Sequence, residues 1–136
     1  MQCPGRDTGL AESTTAFPAV HNGEMPPTLP VAQALSLHAL ISPTEEGIAS
    51  RVLAKTAGGN LTLFAFDAGQ GLTEHTSPFE AFVMVLDGAI ALTVGGTDVT
   101  ATPSTIVRLP ANVPHAVEAT ERSRMLLVML RDVVQA

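Results

Sequence analysis

The chain contains no tryptophan and no tyrosine. Any core it forms must be built from Val, Leu, Ile, Met, Ala and five Phe. Cysteine is nearly absent. Cys3 stands alone, which excludes an intrachain disulfide and makes a reducing cytoplasm the expected compartment. Positive charge is scarce: Lys55 and the arginines, 7 cations in all, face 13 acidic side chains, and the net charge is −6. With no basic stripe, neither nucleic acid nor an anionic membrane surface is an expected partner. No apolar run approaches the roughly 20 residues that a membrane-spanning helix needs. The opening "MQCPGRDTGLAEST" has neither the charged region nor the apolar region of a signal peptide.

Aliphatic side chains are plentiful. Hydrophobic residues make up 46% of the 136 residues and mean hydropathy is +0.29, high for a small chain. The length suits one domain with a single core. The apolar excess points to a buried subunit interface, so a homodimer is expected. Residues 1–30, rich in Pro, Gly, Ser and Thr and ending near "MPPTLP", read as a loosely ordered N-terminal arm. Residues 31–136 read as a single barrel domain. Its first stretch, "VAQALSLHALI", fits a short helix or a strand equally well.

From Arg51 onward the pattern is all-β. Short runs such as "RVLAKT", "LTLFAF", "AFVMVL", "AIALTV", "STIVRLP" and "RMLLVMLR" are separated by Gly, Asp and Asn. That is the spacing of an antiparallel sandwich or barrel. Asp87-Gly88 and Gly95-Gly96 suit tight hairpin turns, because glycine tolerates positive φ. Met125 to Leu130 is unbroken apolar sequence, so a strand there must bury both faces. Arg108, alternating with Val107 and Leu109, is assigned to an outer face. His75 and His115 lie forty residues apart, and only a fold that brings their strands together can pair them.

Those two histidines sit in motifs that resemble the cupin superfamily, in particular its small single-domain members. The first family motif, G-x5-H-x-H-x3,4-E-x6-G, meets Gly69, His75, Ser77, Ala81 and Gly88. The second, G-x5-P-x-G-x2-H-x3-N, meets Ser104, Pro110, Asn112, His115 and Ala119. The resemblance covers residues 50 to 130 and implies a jelly-roll barrel, the double-stranded β-helix. It also implies a metal held by three His and one Glu. Here the first and last His positions are His75 and His115, but Ser77 replaces the second His and Ala81 replaces the Glu. Glu80 falls one residue early and so faces outward in a regular strand, unless a bulge near Pro78 turns it inward.

The expected function is a cytoplasmic small-molecule-binding cupin without a tightly held metal. His75, Ser77, Ala81, Val83, Val85 and His115 would line its pocket. One alternative is a metal-dependent enzyme, dioxygenase-like or hydrolase-like. It would hold a divalent transition metal (Zn, Fe, Mn or Ni) through His75, His115 and an inward Glu80. Another is a metal-free isomerase moving protons through His75 and His115.

Overall fold

A computed structural model describes residues 29–132. The expected N-terminal arm therefore lies, but for Leu29 and Pro30, outside the described residues. Nine strands follow one another among them: β1 (Ile48–Thr56), β2 (Gly59–Phe66), β3 (Gly71–His75), β4 (Glu80–Asp87), β5 (Ile90–Val94), β6 (Thr97–Ala101), β7 (Ile106–Leu109), β8 (His115–Ala119) and β9 (Ser123–Leu130). They form two antiparallel sheets, ordered β1-β2-β9-β4-β7 and β3-β8-β5-β6. The fold is the all-β jelly roll that the motifs implied.

Alternation decides what faces the interior. On β4, Ala81, Val83 and Val85 are buried, while Glu80, Phe82, Met84 and Leu86 lie on the other face and are only half-buried. The inward set meets Phe66, Ile90, Leu92, Leu109, Val117 and Met125 in one core between the sheets. Strand β9 uses both faces, as its apolar run requires. Met125, Leu127 and Met129 turn to that core, and Leu126 turns to a second cluster on the outside of the five-stranded sheet.

That second cluster is made by the segment whose type the sequence left open. It is neither helix nor strand, apart from a 3-10 turn at Leu37–Ala39. Leu40 and Ile41 are buried against Leu53, Leu63 and Ala65. The backbone carbonyls of this strap are met by side chains instead of a ladder. Arg51 donates to the Leu40 carbonyl at 3.2 Å, Arg124 to that of Ile41 at 2.9 Å, and Arg122 to that of Pro43 at 3.2 Å. Charged donors to carbonyls replace regular secondary structure here.

Gly95-Gly96 forms the expected two-residue hairpin between β5 and β6, with φ of 56° and 86°. Asp87-Gly88 does not form a hairpin. β4 and β5 belong to different sheets, so this dipeptide turns a corner of the barrel. The dipeptide signals a sharp bend with positive φ but not which strand comes next to pair.

At the two motif glycine positions replaced here, the backbone still adopts the left-handed conformation: Ser104 has φ 70° and Asn112 has φ 63°. Asn tolerates that region; Ser pays more for it. Ser104→Gly is therefore expected to stabilise the protein by about 0.5–1 kcal/mol. Melting temperature reports it, with a rise of a few degrees expected and no rise counting against the strain.

Candidate functional site

The site is built where β3 lies beside β8. His75 pairs with His115 across the ladder, and Leu72 pairs with Val117. Three residues on β3 thus span two on β8, which marks a bulge between Leu72 and His75. Without it, an odd offset would put Leu72 and His75 on opposite faces. The extra residue turns His75 to the same side as Leu72. The bulge occurs here and not near Pro78.

His115 begins β8 after a turn closed by Val113 N–H donating to the Pro110 carbonyl. Asn112 N–H donates to the Ser77 carbonyl at 2.8 Å, tying this turn to the loop between β3 and β4. The two imidazoles meet edge to face, ring centroids 4.4 Å apart and planes at 71°. His75 is exposed and His115 is 6% exposed. Together they stand at the mouth of a cavity of about 50 Å³.

Each ring is anchored the same way. His75 Nδ1 lies 2.8 Å from the Thr73 carbonyl oxygen, and His115 Nδ1 lies 3.1 Å from that of Val113. A carbonyl only accepts, so both Nδ1 atoms carry the proton and donate it. The neutral form of each ring then bears its lone pair on Nε2. Ser77 Oγ accepts from Phe79 N–H at 3.1 Å, which leaves its hydroxyl proton to donate elsewhere.

Burial holds the His115 pKa below the ordinary histidine value. The nearby His75 ring adds to this, and the bond to Val113 opposes it. With the folded value below the unfolded one near 6.5, the unfolded chain binds more protons as pH falls. His115 therefore contributes stability that is present above about pH 6.5 and lost as pH falls through its folded value. Asp67 and Glu80, both held low, lose theirs only in the carboxylate range further down. Melting curves between about pH 7.5 and about pH 5 should show a smaller loss in His115→Asn than in the unaltered protein. An equal loss would remove His115 as the cause.

Of the residues expected in the pocket, His75, Ser77, Ala81, Val83 and His115 line the cavity. Val85 does not. It sits in the core beyond the cavity wall, 2% exposed. Glu80 does not reach the cavity either. It forms a two-pronged pair with Arg108 on the outer face, Nε to Oε1 at 2.8 Å and Nη2 to Oε2 at 3.0 Å. The arginine's hydrogen bonds hold the Glu80 carboxyl below its usual range. The reason is register: β4 stays regular through Ala81, so Glu80 takes the opposite face.

Leu72, Leu109, Val117, Met125, Leu127 and Met129 complete the wall. Met125 and Met129 belong both to the core and to this wall. Strict alternation on β8 and β9 was the available signal that such residues share a face.

The metal-binding set of three His and one Glu is not what these residues supply. Ser77 and Ala81 bring no imidazole or carboxylate. Among the described residues no group of three or more His, Cys, Asp or Glu is gathered that could hold a metal ion. The residues present do not fit that metal centre. Nor is any helix among the described residues long and apolar enough to cross a membrane.

The family model for the cupin domain matches residues 62–130, just over half of the chain. A conserved protein of unknown function from Streptococcus pyogenes is similar at 28% identity, over 81% of this chain and 98% of its own, with a TM-score of 0.75. A cupin superfamily protein from Desulfitobacterium hafniense is similar at 27% identity, over 77% and 96%, with a TM-score of 0.72. A conserved barrel domain protein from Leptotrichia buccalis reaches 34% identity over 71% of this chain and 47% of its own, with a TM-score of 0.69. No curated protein matches.

Proposed function

The chain belongs to the cupin domain family, and from that premise we propose that it binds a small molecule in its barrel cavity without a tightly held metal. The observation that carries this reading is a largely apolar cavity lining that includes two anchored imidazoles. Ligand sites combine an apolar lining with a few oriented polar groups in this way. The cavity is small. At about 50 Å³ it has roughly a third of the volume of an apolar cavity that takes up benzene, so it holds only a few heavy atoms. The ligand is therefore small, or enters by one end with the remainder in the mouth. His75 and His115 hold its polar part and Ser77 contributes a hydroxyl.

The test is a fragment screen by protein NMR on untagged protein. Expected are shifts at His75, Ser77 and His115 that vanish in His115→Ala. Fragments that shift only residues remote from the cavity would sink the reading.

A homodimer is also proposed. Its support is the outer face of the five-stranded sheet, where half-buried Phe82, Met84 and Val128 adjoin Ile106 at 59% and Leu130 at 48% exposure. Such an apolar face suits a second copy. Sedimentation velocity of the full chain is expected to give the dimer mass, and a pure monomer would remove the proposal. A cytoplasmic location is proposed as well, and its support is the single cysteine of the chain.

A further inference from the structure

The hydrogen bonds at the cavity mouth have a direction, and direction selects a ligand. Thr73 and Val113 offer carbonyl oxygens, so each imidazole spends its one neutral-state N–H on its own backbone. No residue among those described bonds to Nε2 of either ring. Two acceptor lone pairs therefore stand at the entrance of an apolar cavity, beside a single remaining donor, the Ser77 hydroxyl. A head group that can only accept, such as a carboxylate, would set its oxygens against these lone pairs and find only Ser77. A head group that donates finds an acceptor on each ring. An ammonium can serve both rings, and a hydroxyl one.

We infer that the cavity selects a short apolar molecule whose head group donates hydrogen bonds, an amine or an alcohol, and rejects the matching carboxylate. This inference rests on the cavity being a ligand site. The buried body of the ligand is limited to a few heavy atoms by the cavity volume. Its contacts are Ala81, Val83, Leu109 and Val117, none of which offers a side-chain polar atom. Leaving a buried polar partner unmatched costs about a factor of ten or more in affinity, so the discrimination should be large.

The experiment compares n-butylamine, 1-butanol and butyrate at about pH 7.5, above the ordinary histidine range. Binding is followed by chemical-shift titration of the protein. Nitrogen-15 spectra of the histidine rings read the tautomer in the same samples. Expected are Nε2 signals of unprotonated nitrogen in both rings and saturable shifts at His75 and His115 with butylamine or butanol. Butyrate should bind at least about tenfold more weakly than the better of the two. Which of the two binds better tells an ammonium from a hydroxyl ligand.

His75→Asn supplies the control. Its amide nitrogen sits near the position of Nδ1 and can still donate to Thr73, but the Nε2 acceptor is gone. It should weaken binding of the donor probe several-fold and narrow its lead over butyrate, with little change in melting temperature, since His75 is exposed and the buried His115 still offers its Nε2. Butyrate binding as well as the donor probes in the unaltered protein, or Nε2 found protonated, would overturn the inference while leaving the cavity a ligand site. None of the three probes shifting a cavity residue would overturn both.

Discussion

Gly88→Ala is expected to cost at least about 3 kcal/mol, a large share of the roughly 5–15 kcal/mol by which a domain is stable. Two independent terms add. Gly88 has φ +81°, a conformation that an L-residue adopts at a cost of about 1–2 kcal/mol. A Cβ built there would also lie 2.1 Å from Ser123 Oγ, 2.3 Å from the Arg122 carbonyl oxygen and 2.7 Å from Ser123 Cα. Two of these are backbone atoms, so no side-chain rotation relieves the clash. Ser123 cannot retreat easily. It is 0% exposed, its Oγ accepts from Ala89 N–H at 3.0 Å, and it reaches the Glu121 carbonyl at 2.7 Å. Moving it would open the corner where the chain passes from one sheet to the other. Gly96→Ala isolates the first term. Its φ is +86°, but nothing lies within 4 Å of the added Cβ, so only the conformational cost of about 1–2 kcal/mol is expected. Urea unfolding of both variants tests this. Equal losses would show that the close approach at the corner contributes nothing.

The same glycine shows what the sequence could and could not tell. Gly88 ends the first motif, and the resemblance of the two motifs to the cupin family implied the jelly roll. The motif position of Ala81 then assigned the inward face of β4, since a period of two follows from backbone geometry alone, whereas the unbroken apolar run of β9 marked neither face. β3 was harder. "GLTEH" is short and polar, burying little, so no apolar alternation marks it as a strand. The bulge that turns His75 inward was equally hidden, because a bulge depends on how two distant strands pair and not on either one's residues. The strap over the outer sheet face was hidden for a related reason. Leu40 and Ile41 find their partners on β1 and β2, and their carbonyls find arginines as far as position 124. Glu80 was legible as outward-facing from its position one residue before Ala81, with only a bulge near Pro78 left open; what the sequence did not show was its partner. Arg108 lies 28 residues away, opposite Phe82 in the ladder, and it fixes the carboxylate on the outer face.

Ser77→His combined with Ala81→Glu is expected to create a metal site where the unaltered chain has two imidazoles. The reasoning begins with β4. Ala81 faces the cavity and is 4% exposed, while Glu80 is committed to Arg108 outside. A carboxylate added at position 81 therefore enters the side that holds His75 and His115. His75 and His115 are already prepared as ligands, with Nδ1–H tied to a backbone carbonyl and the Nε2 lone pair available, the arrangement metal-bound imidazoles use. Position 77 lies on the same cavity, so a third imidazole gives three nitrogens and a carboxylate, one donor more than the three protein ligands usual at catalytic zinc. Restoring a second-shell partner is worth about 10- to 100-fold in affinity, and two direct ligands should exceed that. Zinc affinity of the double variant is thus expected to rise by more than about 100-fold, to one ion per chain by elemental mass spectrometry. Without metal the variant should melt lower than the unaltered protein, because a carboxylate is buried in an apolar wall. Zinc should then raise its melting temperature well above its own metal-free value. Ala81→Glu alone should show the metal-free loss with a smaller recovery. If the double variant binds zinc no better than the unaltered chain, Ala81 does not face the histidine pair, and the placement of the cavity on this side of β4 is wrong.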